Sequence, residues 1–532
     1  MATILKTLKI TSTEIKLWFY AFITLCLFFS PLLFNFIWGN HDWLPIINDN
    51  NLSSGLIEGR FSQYLLLNIF LMGKVLPILN TLLGLALYSL AIILLTTRFF
   101  KFNTNQQTII IMATITLPYI IEILYFQFIV LSQLSWPLVI VLSLLAAQKA
   151  VVSRYAILYE LMCFSLILLA VGGYPPCINL YITAAILQII KETTVELDFK
   201  SLIKKILFYA VPSLCALFLL SLIHLQLKKN DLMLELYNNQ QAPLKEYLLK
   251  IIPTLHLSLQ SFIQPQPFFS LKFKLITVLC LSLSAIIIVI KSSSWQQKLS
   301  SVLGIIILLL GIKFAAWLTP SNADNYFSKY DPADFMVRMD FYAIPCLILF
   351  SLNILSHSTN LSKNLSYLLS AILILLNMNS CLTFTKTHLL GFNAELKLVD
   401  RIITRIQENP AYNSYTLYNI TQTGEISLRP RFYQPQTFEK YGYYTLNTPY
   451  TRFWIPQEYY NFYLPAQMIK QNAPISPKDI PQDMAAFFDN KISSWPAIDS
   501  LYINPQNIIV VLNKEGKELL VNQFRKIKGN TP

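Results

Sequence analysis

The stretch "GKVLPILNTLLGLALYSLAIILL", Gly73 to Leu95, is followed within a few residues by Arg98 and Lys101. A helix needs ~20 apolar residues to cross the hydrocarbon of a bilayer. This stretch is long enough, and the basic pair at its end is the usual mark of a cytoplasmic flank. The same pattern recurs along the chain. We assign further apolar spans to 16–38, 107–122, 126–148, 155–172, 176–191, 204–224, 273–290, 299–318, 339–356 and 365–383. With 74–97 that makes eleven. A tight turn is expected near Glu122, where 107–148 must divide into two.

Composition agrees. Of 532 residues 54% are hydrophobic and only 13% charged, against ~25% charged in an ordinary soluble domain. The formal charge of +13 is distributed over short loops between apolar runs, which is a topology signal and no nucleic-acid footprint. Lys6, Lys9 and Lys16, then Arg98 and Lys101, Lys149 and Arg154, Lys191 to Lys205, Lys291 and Lys298, and Lys363 all fall on one side. That side is predicted to be cytoplasmic, with an uncleaved first span. The loop 225–272 is assigned to the outside although it holds Lys228, Lys229, Lys245 and Lys250. These lysines could attract anionic lipid or glycan, and a solvated face is the simpler reading. The seven cysteines lie in or near apolar runs and show no paired spacing, so they read as small buried hydrophobes.

From about residue 384 the composition turns to Tyr, Pro, Asn and Gln. Residues 394–409 fit an amphipathic helix through Val399, Ile402, Ile403 and Ile406, with Asn393 as its cap. "YTLYNIT" and "NIIVVLN" read as strands. The expected architecture is therefore mainly α, a polytopic membrane protein of about eleven transmembrane helices (1–383), with a small C-terminal α+β extracytoplasmic domain (384–532).

Charge on the outer side concentrates in "GNHDWLPIINDNNLSSGLIEGRF", Gly39 to Phe61. Asp42 follows the first span closely, at a height where a carboxylate can be partly desolvated and made more basic. Asp49 and Glu58 come next. Arg60 offers a planar fork of donors suited to phosphate. Catalytic candidates are thus Asp42, Asp49 and Glu58. Candidates for substrate binding are Arg60, Glu122 in "LPYIIEILYFQ", Tyr174 in "VGGYPP", and Arg338 in "NYFSKYDPADFMVRMDF". An ionisable residue within an apolar segment is a functional candidate, although Glu122 also fits a polar group at a helix turn and Arg338 an arginine snorkelling to the interface. No "GxxxxGK" loop, "HExxH" or "GxSxG" occurs, which removes the simplest signatures of ATP, zinc and serine-hydrolase chemistry.

The order "HDW", "GRF", "GKVLPILNTLLGLALYSLAIILL", "LPYIIEILYFQ" and "GGYPPCINLYI" resembles the O-antigen glucosyltransferases of serotype conversion. "DMAAFFDNKISSWPAIDSLYINPQNIIVVLN" is similar to the tail of that family. Two departures stand out. Pro175 follows Tyr174 where the family has a glutamine, and His41 stands where it often has a second acid. The resemblance implies a GT-C type enzyme of the bacterial inner membrane that takes a hexose, most simply glucose, from a polyprenyl-phosphate carrier. The acceptor it implies is lipopolysaccharide O-antigen or another surface glycan on the periplasmic face. It also implies that Asp42 is the catalytic acid of the first external loop. No cofactor is expected because such a donor is already activated; a divalent ion is left open, and membrane lipid is a partner by topology. The rival expectations are a transporter or flippase for lipid-linked sugars and a non-catalytic membrane scaffold.

Overall fold

A computed structural model describes residues 10–34, 59–70, 76–102, 107–125, 129–195, 198–230, 244–263, 270–318, 335–416, 418–423 and 468–470, together with 494, 496–497, 500–504, 507–512, 514, 517–518 and 521–522. These residues fall into two compact units, one through residue 384 and one from 385 onward.

The first unit is helical. Among the described residues seven helices are long and apolar enough to cross a membrane: Ile78–Phe99, Val130–Val152, Phe199–Lys229, Leu271–Lys291, Trp295–Ile312, Met339–Ser356 and Asn360–Thr383. The other four expected spans are helical too, but shorter, broken or less apolar. They are Ser12–Phe28 continued by Ser30–Phe34, Thr108–Ile115 with Tyr119–Tyr125, Ala156–Val171, and Ile178–Val195. A helix break lies earlier than the turn expected near Glu122, and residues 126–128, just beyond it, lie outside the described residues. Helix Thr108–Ile115 stops at Thr116, just before Pro118, and Glu122 is inside Tyr119–Tyr125. Pro118 has no N–H to continue the ladder and disfavours the helical conformation of the residue before it.

Local chemistry fixes several helix starts. Thr11 and Glu14 form a capping box, as do Ser294 and Gln297, while Asp198 and Ser270 cap with their side chains. Glu14 has a second role. Its carboxylate accepts from Arg98 Nε and Nη2, both at 2.7 Å, which joins the start of the first helix to the end of Ile78–Phe99. The Arg98 guanidinium holds the Glu14 carboxyl down at about 2, against the opposing effect of burial, with the Thr11 backbone N–H, the Thr11 hydroxyl and the Thr97 hydroxyl adding to it.

Burial separates the helices into a centre and a rim. Met339–Ser356 is 94% buried and Val130–Val152 78%, whereas Phe199–Lys229 and Trp295–Ile312 are each 28% buried. The open faces of the rim helices carry Leu214, Phe218, Leu303 and Ile307. Apolar side chains over that much surface suit hydrocarbon better than water. The region 225–272, expected as a loop, contains helices Leu244–Leu249 and Ile251–Ile263. Lys250 is fully buried there, with its ammonium 4.3 Å from the centre of the Tyr247 ring, so it does not belong to a solvated face. None of the seven cysteines, all among the described residues, is in a disulfide, and five are buried; Cys26 is half-buried and Cys215 exposed.

The helix expected at 394–409 is the end of a longer one, Asn360–Glu408, so Asn393 is no cap. Apolar periodicity had marked only its buried stripe, including Ile402, Ile403 and Ile406. In the second unit four short strands form one sheet. They are β1 (Tyr418–Thr423), β2 (Met468–Lys470), β3 (Leu501–Ile503) and β4 (Asn507–Val511), in the order β2-β1-β4-β3. β1 runs parallel to both β2 and β4, and β3 pairs antiparallel with β4. Every residue of β4 is buried, as a central strand of aliphatic residues requires.

Candidate functional site

The sequence motif "GRF" and the motif "VGGYPP" meet. Gly59 has φ 76°, a left-handed conformation open to glycine at little cost. Its carbonyl accepts from His224 Nε2 at 3.2 Å, which fixes it to helix Phe199–Lys229. Three residues on, the Ser62 backbone N–H donates to the Gly172 carbonyl at 3.0 Å. The two glycines of the turn permit this approach. A Cβ on Gly172 would lie 2.3 Å from the Phe61 ring, and one on Gly173 2.1 Å from the Trp136 ring. Helix Phe61–Phe70 therefore starts against the turn, and Arg60 is delivered onto it.

Arg60 lies over the Tyr174 ring, its guanidinium carbon 5.3 Å from the ring centre. Tyr174 in turn packs on Tyr342, centre to centre 5.7 Å, and Tyr342 donates its hydroxyl to the Gln133 carbonyl at 3.1 Å. Three segments separated by more than a hundred residues each thus meet at one end of the central helices. Polar groups gather beside them. Ser62, Gln63 and Gln133 are buried, and among the described residues the Ser62 hydroxyl, Gln63 Oε1 and both amide atoms of Gln133 have no hydrogen-bond partner. Buried polar groups are normally satisfied, so this end of the bundle holds unused donors and acceptors of the kind a sugar hydroxyl needs.

A charged network lies next in sequence to Tyr342. Asp340 accepts from Lys313 Nζ at 2.5 Å and from Ser261 Oγ at 3.2 Å. Both charged side chains are 0% exposed. Lys274 Nζ donates to the Ser261 carbonyl at 2.9 Å. Two buried ammonium groups thus surround one carboxylate, and the network ties together four helical segments. Sequence reasoning assigned Lys274, Lys313 and Asp340 no role. A lysine inside an assigned span, such as Lys313 in 299–318, was the available signal.

Of the residues singled out from sequence, Arg60 and Tyr174 are brought together. Glu122 lies in helix Tyr119–Tyr125 and Arg338 near the start of Phe335–Ser356. Their side chains are outside those described, as are the whole of Asp42, Asp49 and Glu58. Among the described residues no three His, Cys, Asp or Glu side chains cluster.

The family model described as glucosyl transferase GtrII matches residues 30–312, just over half of the chain. The chain belongs to the GtrII glucosyl transferase family. The matched region contains the Arg60–Tyr174 contact and Lys274, whereas Lys313, Asp340 and Tyr342 lie beyond it. The family resemblance read from the motifs is thereby borne out, and with it glucosyl transfer as the general activity. No curated protein and no solved structure matches this GtrII member.

Proposed function

We propose that this GtrII glucosyl transferase moves glucose from a polyprenyl-phosphate carrier to a surface glycan such as lipopolysaccharide O-antigen, at the periplasmic face of the inner membrane. The observation that carries the proposal is Arg60 over Tyr174. It puts a permanent cation, in a planar and partly desolvated setting, at the end of the bundle that Gly59 and Arg60 enter from the first loop. The arrangement suits a reaction that expels a phosphate.

In this reading the acceptor hydroxyl attacks C1 of the sugar. Asp42 takes the hydroxyl proton as the new glycosidic bond forms. The bond from C1 to the phosphate oxygen breaks, and the electron pair leaves with the polyprenyl phosphate. Arg60, with Arg338 as a second cation, stabilises the charge growing on that phosphate. Asp49 and Glu58 are the alternative bases in the same loop. Glu122, Ser62, Gln63 and Gln133 hold the sugar, and Tyr174 supplies the flat surface against which it rests. The segment 384–532 is proposed to lie on the periplasmic side and to cover the site or grip the acceptor.

The test is transfer in membranes supplied with polyprenyl-phosphate glucose and acceptor glycan. Asp42→Asn, shown to be expressed and inserted, is expected to lose at least about 100-fold in rate, the scale of a general base. Wild-type rate from that variant would remove the assignment of the base. Arg60→Lys keeps the charge but loses the planar fork, and an unchanged rate there would remove the phosphate role.

A further inference from the structure

At the other end of the same helices is a second cavity, of about 610 Å³. Helix Val130–Val152 measures the separation. Gln133 and Trp136 belong to the Arg60 end, and Gln148 and Lys149 line or face the cavity, about 22 Å away along the axis at 1.5 Å per residue. The cavity is therefore no part of the proposed glucosyl-transfer site.

Its charge is unbalanced. Arg98, Lys101, Lys149 and Lys205 line it against Glu14 and Glu192. Both carboxylates are already held, Glu14 by Arg98 and Glu192 by Lys205 at 2.7 Å. That leaves Lys101 and Lys149, both exposed, with no ion pair among the described residues. A ligand that restores neutrality must be an anion.

Lys101 is also held in place by its neighbours. It has φ 52°, a conformation that a residue with a Cβ adopts rarely and at a cost of order 1–3 kcal/mol. The flanking aromatics keep it there. Phe100 and Phe102 both pack on Phe350, at 5.3 and 6.0 Å between ring centres, and Phe102 stacks on His357. Lys191 reinforces the turn by donating to the Phe100 carbonyl while lying 4.4 Å from the centre of the Phe102 ring. A surface lysine with no function has no need of so rigid a base.

Polar residues such as Thr11, Thr97 and Gln148 also line it, but one stretch of wall is apolar, formed by Leu142, Leu145 and Met162 on adjoining helices. Inorganic phosphate has no use for such a wall, whereas an acyl chain does. We propose that this cavity is a binding site for an anionic phospholipid, its phosphodiester headgroup held between Lys101 and Lys149 and its chain lying along Leu142, Leu145 and Met162. The basic flanks of the spans fit the same assignment, because anionic headgroups at the cytoplasmic surface attract lysines next to membrane spans.

The full chain, purified and reconstituted in phosphatidylcholine containing a minor fraction of phosphatidylglycerol, provides the test. Phosphatidylglycerol retained per protein is counted by mass spectrometry over a range of lipid fractions. Each lysine contributes about fivefold in affinity, so Lys101→Gln with Lys149→Gln is expected to weaken retention about 30-fold. Lys272→Gln, an exposed lysine on helix Leu271–Lys291 that does not line the cavity, is expected to change nothing. Lys101→Arg keeps the charge at the same backbone position and should retain the lipid, which separates loss of charge from loss of fold. Equal retention by the double variant and the wild type overturns the proposal. So does displacement of the lipid by millimolar inorganic phosphate, which would make the ligand a free anion. These readouts do not depend on glucosyl transfer, so their failure leaves the proposed function standing and its failure leaves them standing.

Discussion

Removing Lys313 strips a buried carboxylate of the cation bonded to it. Asp340 and Lys313 are both 0% exposed, and the carboxylate's only other hydrogen bond among the described residues comes from Ser261, at 3.2 Å. Asp340 Oδ2 is buried without a hydrogen-bond partner among the described residues. Lys313→Met preserves most of the side-chain volume but removes the ammonium bonded to the carboxylate and leaves only Lys274 as a nearby cation among the described residues, and breaking a buried pair costs about 3–5 kcal/mol. Replacing both partners, as Lys313→Met with Asp340→Leu, removes the bonded pair together and should recover part of that loss, the remainder reflecting the lost attraction between Asp340 and Lys274. The assay is reversible unfolding in mixed micelles with increasing dodecyl sulfate, followed by tryptophan fluorescence and analysed as a double-mutant cycle. Asp340 is two residues from Tyr342, so the single variant should also lose transfer activity in proportion to disorder at the Tyr174–Tyr342 contact. The reasoning fails if Lys313→Met costs less than about 1 kcal/mol. It fails equally if the double variant loses the sum of the two single changes, because the pair would then not be coupled.

Other consequences can be measured in the same preparations. Gly173→Ala places a methyl group 2.1 Å from the Trp136 ring, and overpacking of this kind costs about 1–3 kcal/mol; unfolding should register it, with transfer reduced because Tyr174 is the next residue. Glu14 has a folded pKa of about 2, below the unfolded value of ~4.3, so its contribution is complete above about pH 5 and fades as the pH falls toward 2. That contribution is at most about 3 kcal/mol, and Glu14→Gln should flatten the corresponding part of the stability profile between pH 2 and 5. Tyr342→Phe removes the hydrogen bond to the Gln133 carbonyl but keeps the ring contact with Tyr174. It should cost about 1 kcal/mol in stability, and a larger loss would mean that the hydroxyl also positions Tyr174.

Much of the helical layout was legible because a span is a one-dimensional property. A run of apolar residues announces itself wherever the rest of the chain goes, and each of the eleven assigned segments is mainly helical over its described residues, seven of them as helices long and apolar enough to cross a membrane. Length and continuity were less legible. Hydropathy averages over a proline such as Pro118 without registering the missing donor, so the helix break at 116–118 was not foreseen. The region 225–272 was misread for a related reason. It was expected as a loop but contains helices, and of its lysines Lys228, Lys229 and Lys245 are exposed as a solvated face requires, whereas Lys250 is buried over Tyr247; the three-residue spacing of that pair does not say whether it faces solvent or a neighbouring helix.

The sequence by itself determined the class of this protein, its family and the segments that could bear chemistry. Apolar runs, basic flanks and short ordered motifs are local, and their order survives without coordinates. Which residues meet was decided only in three dimensions. Arg60, Tyr174 and Tyr342 share no window, and their association depends on Gly172 and Gly173 having no side chain where Phe61 and Trp136 pass. Lys313, inside the assigned span 299–318, and Asp340, at the start of 339–356, likewise share no local window. Only the packing of their helices makes them partners, because a charge withdrawn from water is tolerated when an opposite charge is withdrawn beside it.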